Sequence, residues 1–164
     1  MKFSLARIVA AMIVVGTSTV GITNISTARA DDKLSVLIVD GQNNHNWKAT
    51  TPIMKDFLTK SGRFTVDVVT TPPGKAPKEA WDAFRPKFSD YATVLSNYNG
   101  ELWPEPVQRD LEAYVSGGGG LVIVHAANNA FPEWAEFNKM IGLGWRGAGY
   151  GNRVTVTAEG KVVE

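Results

Sequence analysis

The 164-residue chain has no cysteine. That excludes disulfides, a thiol nucleophile, zinc–thiolate sites and iron–sulfur clusters. Histidine is nearly as scarce, with two copies, His45 and His125. Acid is missing from the first thirty residues, whose only charges are Lys2, Arg7 and Arg29. Those three come out of 17 basic residues in all, which leaves 14 against 16 acidic ones in residues 31–164. So balanced a chain lacks the basic field that nucleic acid requires. Internal repeats and long charge runs are absent. Past residue 30 no apolar run approaches the roughly 20 residues that span a bilayer.

What the opening segment does contain has the three parts of an export signal. Lys2 and Arg7 form a positive start. Ile8 to Val15 (IVAAMIVV) is apolar but short, and Gly16 to Thr19 interrupts it. Ala28-Arg29-Ala30 supplies the small-x-small pattern that a signal peptidase cuts after. The expectation is a signal peptide over 1–30, a mature start at Asp31, and a periplasmic or secreted protein with no stable membrane insertion after cleavage. Residues 31–164 are long enough for one domain, and its core must hold without crosslinks.

From Asp31 onward strand and helix signals alternate. Leu34 to Val39 (LSVLIV) is a short apolar run that fits a buried strand. Thr51-Pro52 predicts a helix start, with Ile53, Met54, Phe57 and Leu58 on its inner face and Gly62 at its end. Phe64 to Val69 is the second strand, and 72–77 is a loop. A short helix runs from Lys78 to Phe84, before Pro86. Tyr91 to Ser96 is the third strand. A helix with Val107, Leu111, Tyr114 and Val115 on one face stops at Gly117 to Gly120, and Leu121 to Val124 is the fourth strand. Trp134, Phe137 and Ile141 mark another inward helix face. Arg153 to Thr157 alternates like a strand.

This alternation implies an α/β domain with a mostly parallel sheet, right-handed crossovers and strand order 2-1-3-4. Ligands of such sheets bind beyond the carboxyl ends of the strands, at the switch between strands 1 and 3. The chain stops just after a new strand and turn. A parallel sheet needs helices on both faces, so the domain is expected to be incomplete at its C-terminus.

Polar residues gather where that fold puts a site: Asp40 to Trp47 after strand 1, Asn97 to Gly100 and Trp103 after strand 3, and His125 to Asn129 after strand 4. Both histidines lie in these loops. His125 follows four apolar residues and precedes two alanines, the setting of a tight strand-to-helix elbow that presents one side chain. A buried histidine bonded to a backbone carbonyl is the competing reading. His45 and His125 are the expected acid/base residues. Asp40, Asn44, Trp47, Asn97, Tyr98, Asn128 and Arg146 are the expected ligand contacts, since amides pair with sugar hydroxyls and indoles stack on sugar faces. Trp47, Trp103, Trp134 and Trp145 could each stack; Trp47 and Trp103 sit in loops and are preferred, while Trp134, at helical spacing, is assigned to the core. His45, Asn97 and His125 are expected to line one pocket, with Asp40 or Asn44 at its edge.

Weaker patterns point elsewhere. Gly117 to Gly120 precedes a strand and lacks the Lys-Ser/Thr ending of a phosphate loop, so it reads as a helix stop. Ser96, His125 and Asp40 make a thin case for a serine triad, without the surrounding G-x-S-x-G. His45, His125 and Asp40 make a thin case for a divalent metal, without a close histidine pair in sequence.

Three stretches, VLIVDGQNNHNW, LEAYVSGGGGLVIVHAAN and FPEWAEFNKMIGLGWRG, together resemble the trehalose-utilisation (ThuA-like) family over about residues 34–150. The resemblance implies a three-layer flavodoxin-like fold of the class I glutamine amidotransferase type. True amidotransferases carry a cysteine at the elbow where His125 stands here, so glutamine hydrolysis is not implied. Family members run longer, with further polar residues past the end of this chain. The family association is with sugar, especially keto-sugar, metabolism. Two functions follow as expectations: an exported carbohydrate-processing enzyme of hydrolase or lyase type, or a sugar-binding or interaction domain without chemistry. The chain shows no close carboxylate pair of the kind glycosidases use. The expected partner is a small-molecule carbohydrate.

Overall fold

The computed structural model describes residues 32–146 and 155–163. The expected signal peptide, Asp31, and the glycine-rich stretch from Gly147 to Arg153 lie outside the described residues.

Four parallel strands, β1 (Leu34–Asp40), β2 (Phe64–Thr70), β3 (Thr93–Ser96) and β4 (Gly120–Ile123), form one sheet in the order β2-β1-β3-β4. Ile38 is level with Val68 on β2 and Leu95 on β3, and Leu95 with Val122 on β4. Strand β1 is central and nearly continuous in apolar residues because both of its faces are covered. One face carries helix α1 (Trp47–Lys60), whose Met54 and Leu58 pack on Val36, Ile38 and Val66. The other carries α2 (Lys78–Ala83), α3 (Glu105–Ser116) and α4 (Ala135–Ile141). The chain is therefore an α/β fold with helices on both sides of a parallel sheet. A short antiparallel pair, β5 (Thr155–Val156) and β6 (Val162–Val163), forms a separate sheet; β5 falls within the strand expected at 153–157, whose first two residues lie outside the described residues.

The main core lies under α3 and α4. Leu37, Val39, Val94, Val107, Leu111 and Phe137 surround a cluster of aromatic rings centred on Trp103. Tyr98 is fully buried there and donates its hydroxyl proton to the Glu101 carbonyl (2.7 Å). Burial raises the Tyr98 phenol well above the ordinary tyrosine value, with the nearby Glu101 charge adding to the shift. Trp134 is also buried, as its helical spacing predicts.

Helix α1 departs from expectation. It starts at Trp47, not at Thr51, because the Asn46 side chain caps the Ala49 N–H (3.3 Å). Pro52 consequently sits inside the helix, leaving the Lys48 carbonyl without its usual partner. The inward stripe also rotates. Thr51, Met54 and Leu58 face the sheet, whereas Ile53 and Phe57 are 67% and 73% exposed. The buried Thr51 is drawn inward by a hydrogen bond from the Asn97 side chain (3.1 Å). Strand β3 begins two residues later than expected, because Phe88–Asp90 form a 3₁₀ turn capped by Tyr91.

The glycine run ends α3 at Gly117, and its last member, Gly120, already opens β4. Gly118 adopts φ +95°, and a side chain on Gly119 would fall on the Tyr114 ring. The run is therefore a helix stop and a seat for Tyr114, as its position before a strand predicts.

Candidate functional site

The carboxyl ends of β1, β3 and β4 lie side by side, and three loops leave them on one rim. The first turn out of β1 is tight. Gly41 has φ +131°, and a Cβ there would lie 2.2 Å from the Thr71 hydroxyl oxygen. Only glycine lets the chain pass this close to the end of β2. Gln42 then ties the loops together: its side-chain NH₂ donates to the Pro72 carbonyl (3.0 Å), and its side-chain oxygen accepts from the Glu101 N–H (3.2 Å). Its backbone carbonyl accepts from the Asn99 N–H (2.8 Å).

Asn43 performs the next step. Its NH₂ donates to the Asn97 carbonyl (3.1 Å), and its side-chain oxygen accepts the His45 N–H (2.9 Å). This bond turns the β1 loop back over the tip of β3. Asn97 is buried, and its amide donates to the hydroxyls of Thr50 and Thr51 (3.1 Å each). The amide network thus joins β3 to the first turns of α1 and carries His45 across the rim.

His125 arrives from the opposite side. It begins a 3₁₀ turn, His125–Asn129, immediately after Val124. Its φ is +45°, in the left-handed region that non-glycine residues rarely adopt. The turn is closed by the Ala127 N–H donating to the Val124 carbonyl (2.9 Å). Ala126 and Ala127 are buried, so their small side chains let the turn sit directly on the sheet end. The backbone therefore presents the imidazole outward, and His125 is exposed rather than the buried histidine of the competing reading.

The two imidazoles meet. Their ring centroids are 4.6 Å apart, with the planes inclined at 53°. They line a cavity of about 340 Å³ together with Ala126, Asn128, Asn129 and Trp145. No lysine, arginine or carboxylate is among these lining residues. Arg146 is near but committed. Its guanidinium donates to the carbonyls of Asn128 (3.1 Å) and Trp145 (2.6 Å) and to the Asn138 side chain.

The other expected contacts fall in different places. Asp40 is buried at the end of β1 and accepts the Thr70 hydroxyl proton (2.7 Å). Asn44 is exposed and accepts from the Asn99 amide (2.9 Å). Trp47 is half-buried at the start of α1, beneath Lys48. Tyr98, expected at the rim, is instead a core residue whose hydroxyl is satisfied internally. Trp103, preferred for stacking, is corrected in the same way: it is the centre of the aromatic cluster. Asn97, expected in the histidine pocket, is held beneath it by the two threonines. Trp145, passed over in favour of Trp47 and Trp103, is the tryptophan that lines the cavity. Gln42 and Asn43 were legible only as amides of a polar loop, and nothing in their spacing marks them as the residues that connect the strand tips.

The thin alternatives do not assemble. The Ser96 hydroxyl is buried without a hydrogen-bond partner, and Asp40 is bonded to Thr70, so no serine–histidine–aspartate chain forms. Among the described residues no group of three histidine, cysteine, aspartate or glutamate side chains is placed to hold a metal ion. His45 and His125 offer two imidazoles, and Asp40 does not join them.

Comparison with known proteins adds the last observation. The family model described as trehalose utilisation, ThuA, matches residues 35–163. A crystal structure of a protein described as ThuA-like, from Parabacteroides merdae, superimposes with a TM-score of 0.71 at 41% sequence identity. The match covers 80% of this chain and 47% of that one, so the present chain spans about half the length of its structural relative. No curated protein matches the sequence.

Proposed function

The chain belongs to the trehalose-utilisation (ThuA-like) family, and from that premise we propose that it acts on a small-molecule carbohydrate at the histidine pocket. The observation that carries this reading is the convergence of the chain's two histidines, ring to ring, from loops that leave different strands. A pair of imidazoles can pass a proton between a substrate hydroxyl and solvent, which is the work of a general acid and base. Asn128 and Asn129 add amide donors and acceptors of the kind hydroxyls require. Cleavage or elimination at a sugar carbon fits this equipment. A two-carboxylate glycosidase mechanism does not fit it, because among the described residues no carboxylate lines the cavity.

The same lack of a carboxylate favours a second reading, a carbohydrate-binding domain without chemistry. One experiment separates both from a site unrelated to sugar. With two histidines in the chain, the imidazole region of an NMR spectrum reports this pocket alone. Titration with trehalose and other neutral disaccharides is expected to shift both imidazole signals. Appearance of a new sugar product in the tube identifies the enzyme, and shifts without product identify the binding domain. Signals that stay fixed through the whole sugar panel refute the carbohydrate reading.

Export is part of the proposal. Its support is the Lys2/Arg7 start, the short apolar run and Ala28-Arg29-Ala30. No helix among the described residues is long and apolar enough to cross a membrane. Protein recovered from the periplasm or medium is expected to begin at Asp31, and N-terminal sequencing that returns Met1 would overturn this.

A further inference from the structure

We propose that Trp145 is the surface on which the ring of the carbohydrate stacks, and that Arg146 is the positioning residue that holds it over the histidine pair. This inference rests on the carbohydrate reading above and names the residue that selects the ligand.

Trp145 is 64% exposed and yet lines the cavity with both histidines. Large aromatic side chains are stable in water only at a cost, and in this domain Trp103 and Trp134 are buried. Leu143, two residues earlier, is also exposed but does not line the cavity. An indole face beside two imidazoles and two amides offers one apolar plane and several polar edges. A pyranose ring, apolar on its C–H face and polar around its rim, is the ligand with the same division.

The segment carrying Trp145 is fastened at several points. Helix α4 ends at Gly142, with φ +70°. The Trp145 N–H donates to the Asn128 carbonyl (3.2 Å), and the Arg146 guanidinium donates to the same carbonyl (3.1 Å). A further arm of Arg146 reaches the Asn138 side-chain oxygen. Asn138 is itself fixed, since its NH₂ donates to the carbonyls of Phe131 (3.3 Å), Pro132 (3.1 Å) and Trp134 (2.8 Å). The planar guanidinium therefore bridges α4 to the turn that begins with His125, and the neighbouring Trp145 lines the cavity beside that turn. A lysine cannot make this bridge, because it lacks the fork.

The commitment of Arg146 also sets the ligand's charge. Three of its N–H donors are spent on protein oxygens, and among the described residues no lysine or arginine lines the cavity. A phosphate group would find no charged clamp, so the pocket favours an unphosphorylated sugar.

The test measures binding of trehalose and trehalose 6-phosphate by calorimetry to the whole protein and to Trp145→Ala, Trp145→Phe, Arg146→Lys and His125→Ala. Trp145→Ala is expected to weaken trehalose binding roughly ten-fold or more with the melting temperature unchanged. Trp145→Phe keeps a ring and should stay within a few-fold of the parent. Arg146→Lys keeps the charge and should still weaken binding by roughly three-fold or more. Trehalose 6-phosphate should bind less well than trehalose. Unchanged affinity in Trp145→Ala, or tighter binding of the phosphate, overturns the inference. If His125→Ala loses binding while Trp145→Ala does not, this inference fails and the carbohydrate reading stands. If the parent protein binds neither of these nor any other disaccharide of the panel above, both fall.

Discussion

Replacing His125 with alanine is expected to lower turnover of the carbohydrate by about 10²–10⁴-fold, the range that a positioned acid or base supplies, while the melting temperature stays nearly constant. The separation of the two effects follows from the backbone. His125 already sits at φ +45°, a conformation that costs roughly 1–2 kcal/mol for any residue with a Cβ. Alanine meets the same strain, and the exposed imidazole takes little packing with it. His125→Gly goes further, since glycine adopts this conformation freely. It should be equally inactive and at least as stable as the parent. In a binding domain without chemistry the same substitutions appear as lost affinity. Circular dichroism melts alongside product assays decide the matter. If His125→Ala unfolds the protein while His125→Gln keeps full function, the residue supports the fold and has no part in the chemistry.

The largest expected loss of stability lies at Trp103. This side chain is 2% exposed, and its ring lies within 5.2–6.3 Å of the rings of Phe84, Phe88, Tyr98, Phe131 and Trp134. Truncation to alanine removes an indole that rigid neighbours cannot replace, at a cost of about 3–5 kcal/mol. Against a total stability of about 5–15 kcal/mol, this lowers the melting temperature by roughly 10–20 °C for a domain of this size. Trp103→Phe should cost much less than its lost area suggests. The Trp103 indole N–H is buried with the Tyr98 hydroxyl beside it but no hydrogen bond of normal geometry, and removing a poorly satisfied donor recovers part of its roughly 1–3 kcal/mol penalty. Thermal melts of the two variants test the argument, and equal destabilisation would show that the N–H is satisfied in solution.

These two residues show how far the sequence reached into the site. His125 was legible because a strand leading straight into a histidine and two alanines is a local pattern, and local sterics decide the elbow. Trp103 was misread because its neighbours in sequence, Asn97 to Gly100, are polar, so the segment looked like a rim. Its environment is made by Phe84, Phe88, Phe131 and Trp134, none of which is close to it in the chain. Tyr98 was misread for the same reason: the ring it stacks on, Phe131, is distant in the chain, and its hydroxyl is taken up by the Glu101 carbonyl three residues on.

By itself the sequence determined the strands, their order and the rim. Continuous apolar runs form buried strands wherever they fall, and short connections allow few crossovers. It also determined which loops hold the histidines. Tertiary structure alone decided which polar groups remain available to a ligand. Asp40, Asn97 and Tyr98 are the right chemical types in the right segments, yet Thr70, Thr50, Thr51 and Glu101 occupy their hydrogen-bonding groups. It also decided that Asn43 bends the first loop until His45 meets His125, and that Trp145 stands beside them. The physical reason is that a hydrogen bond or ring contact between distant segments leaves no periodicity in the chain. It exists only once strand pairing has set the distance.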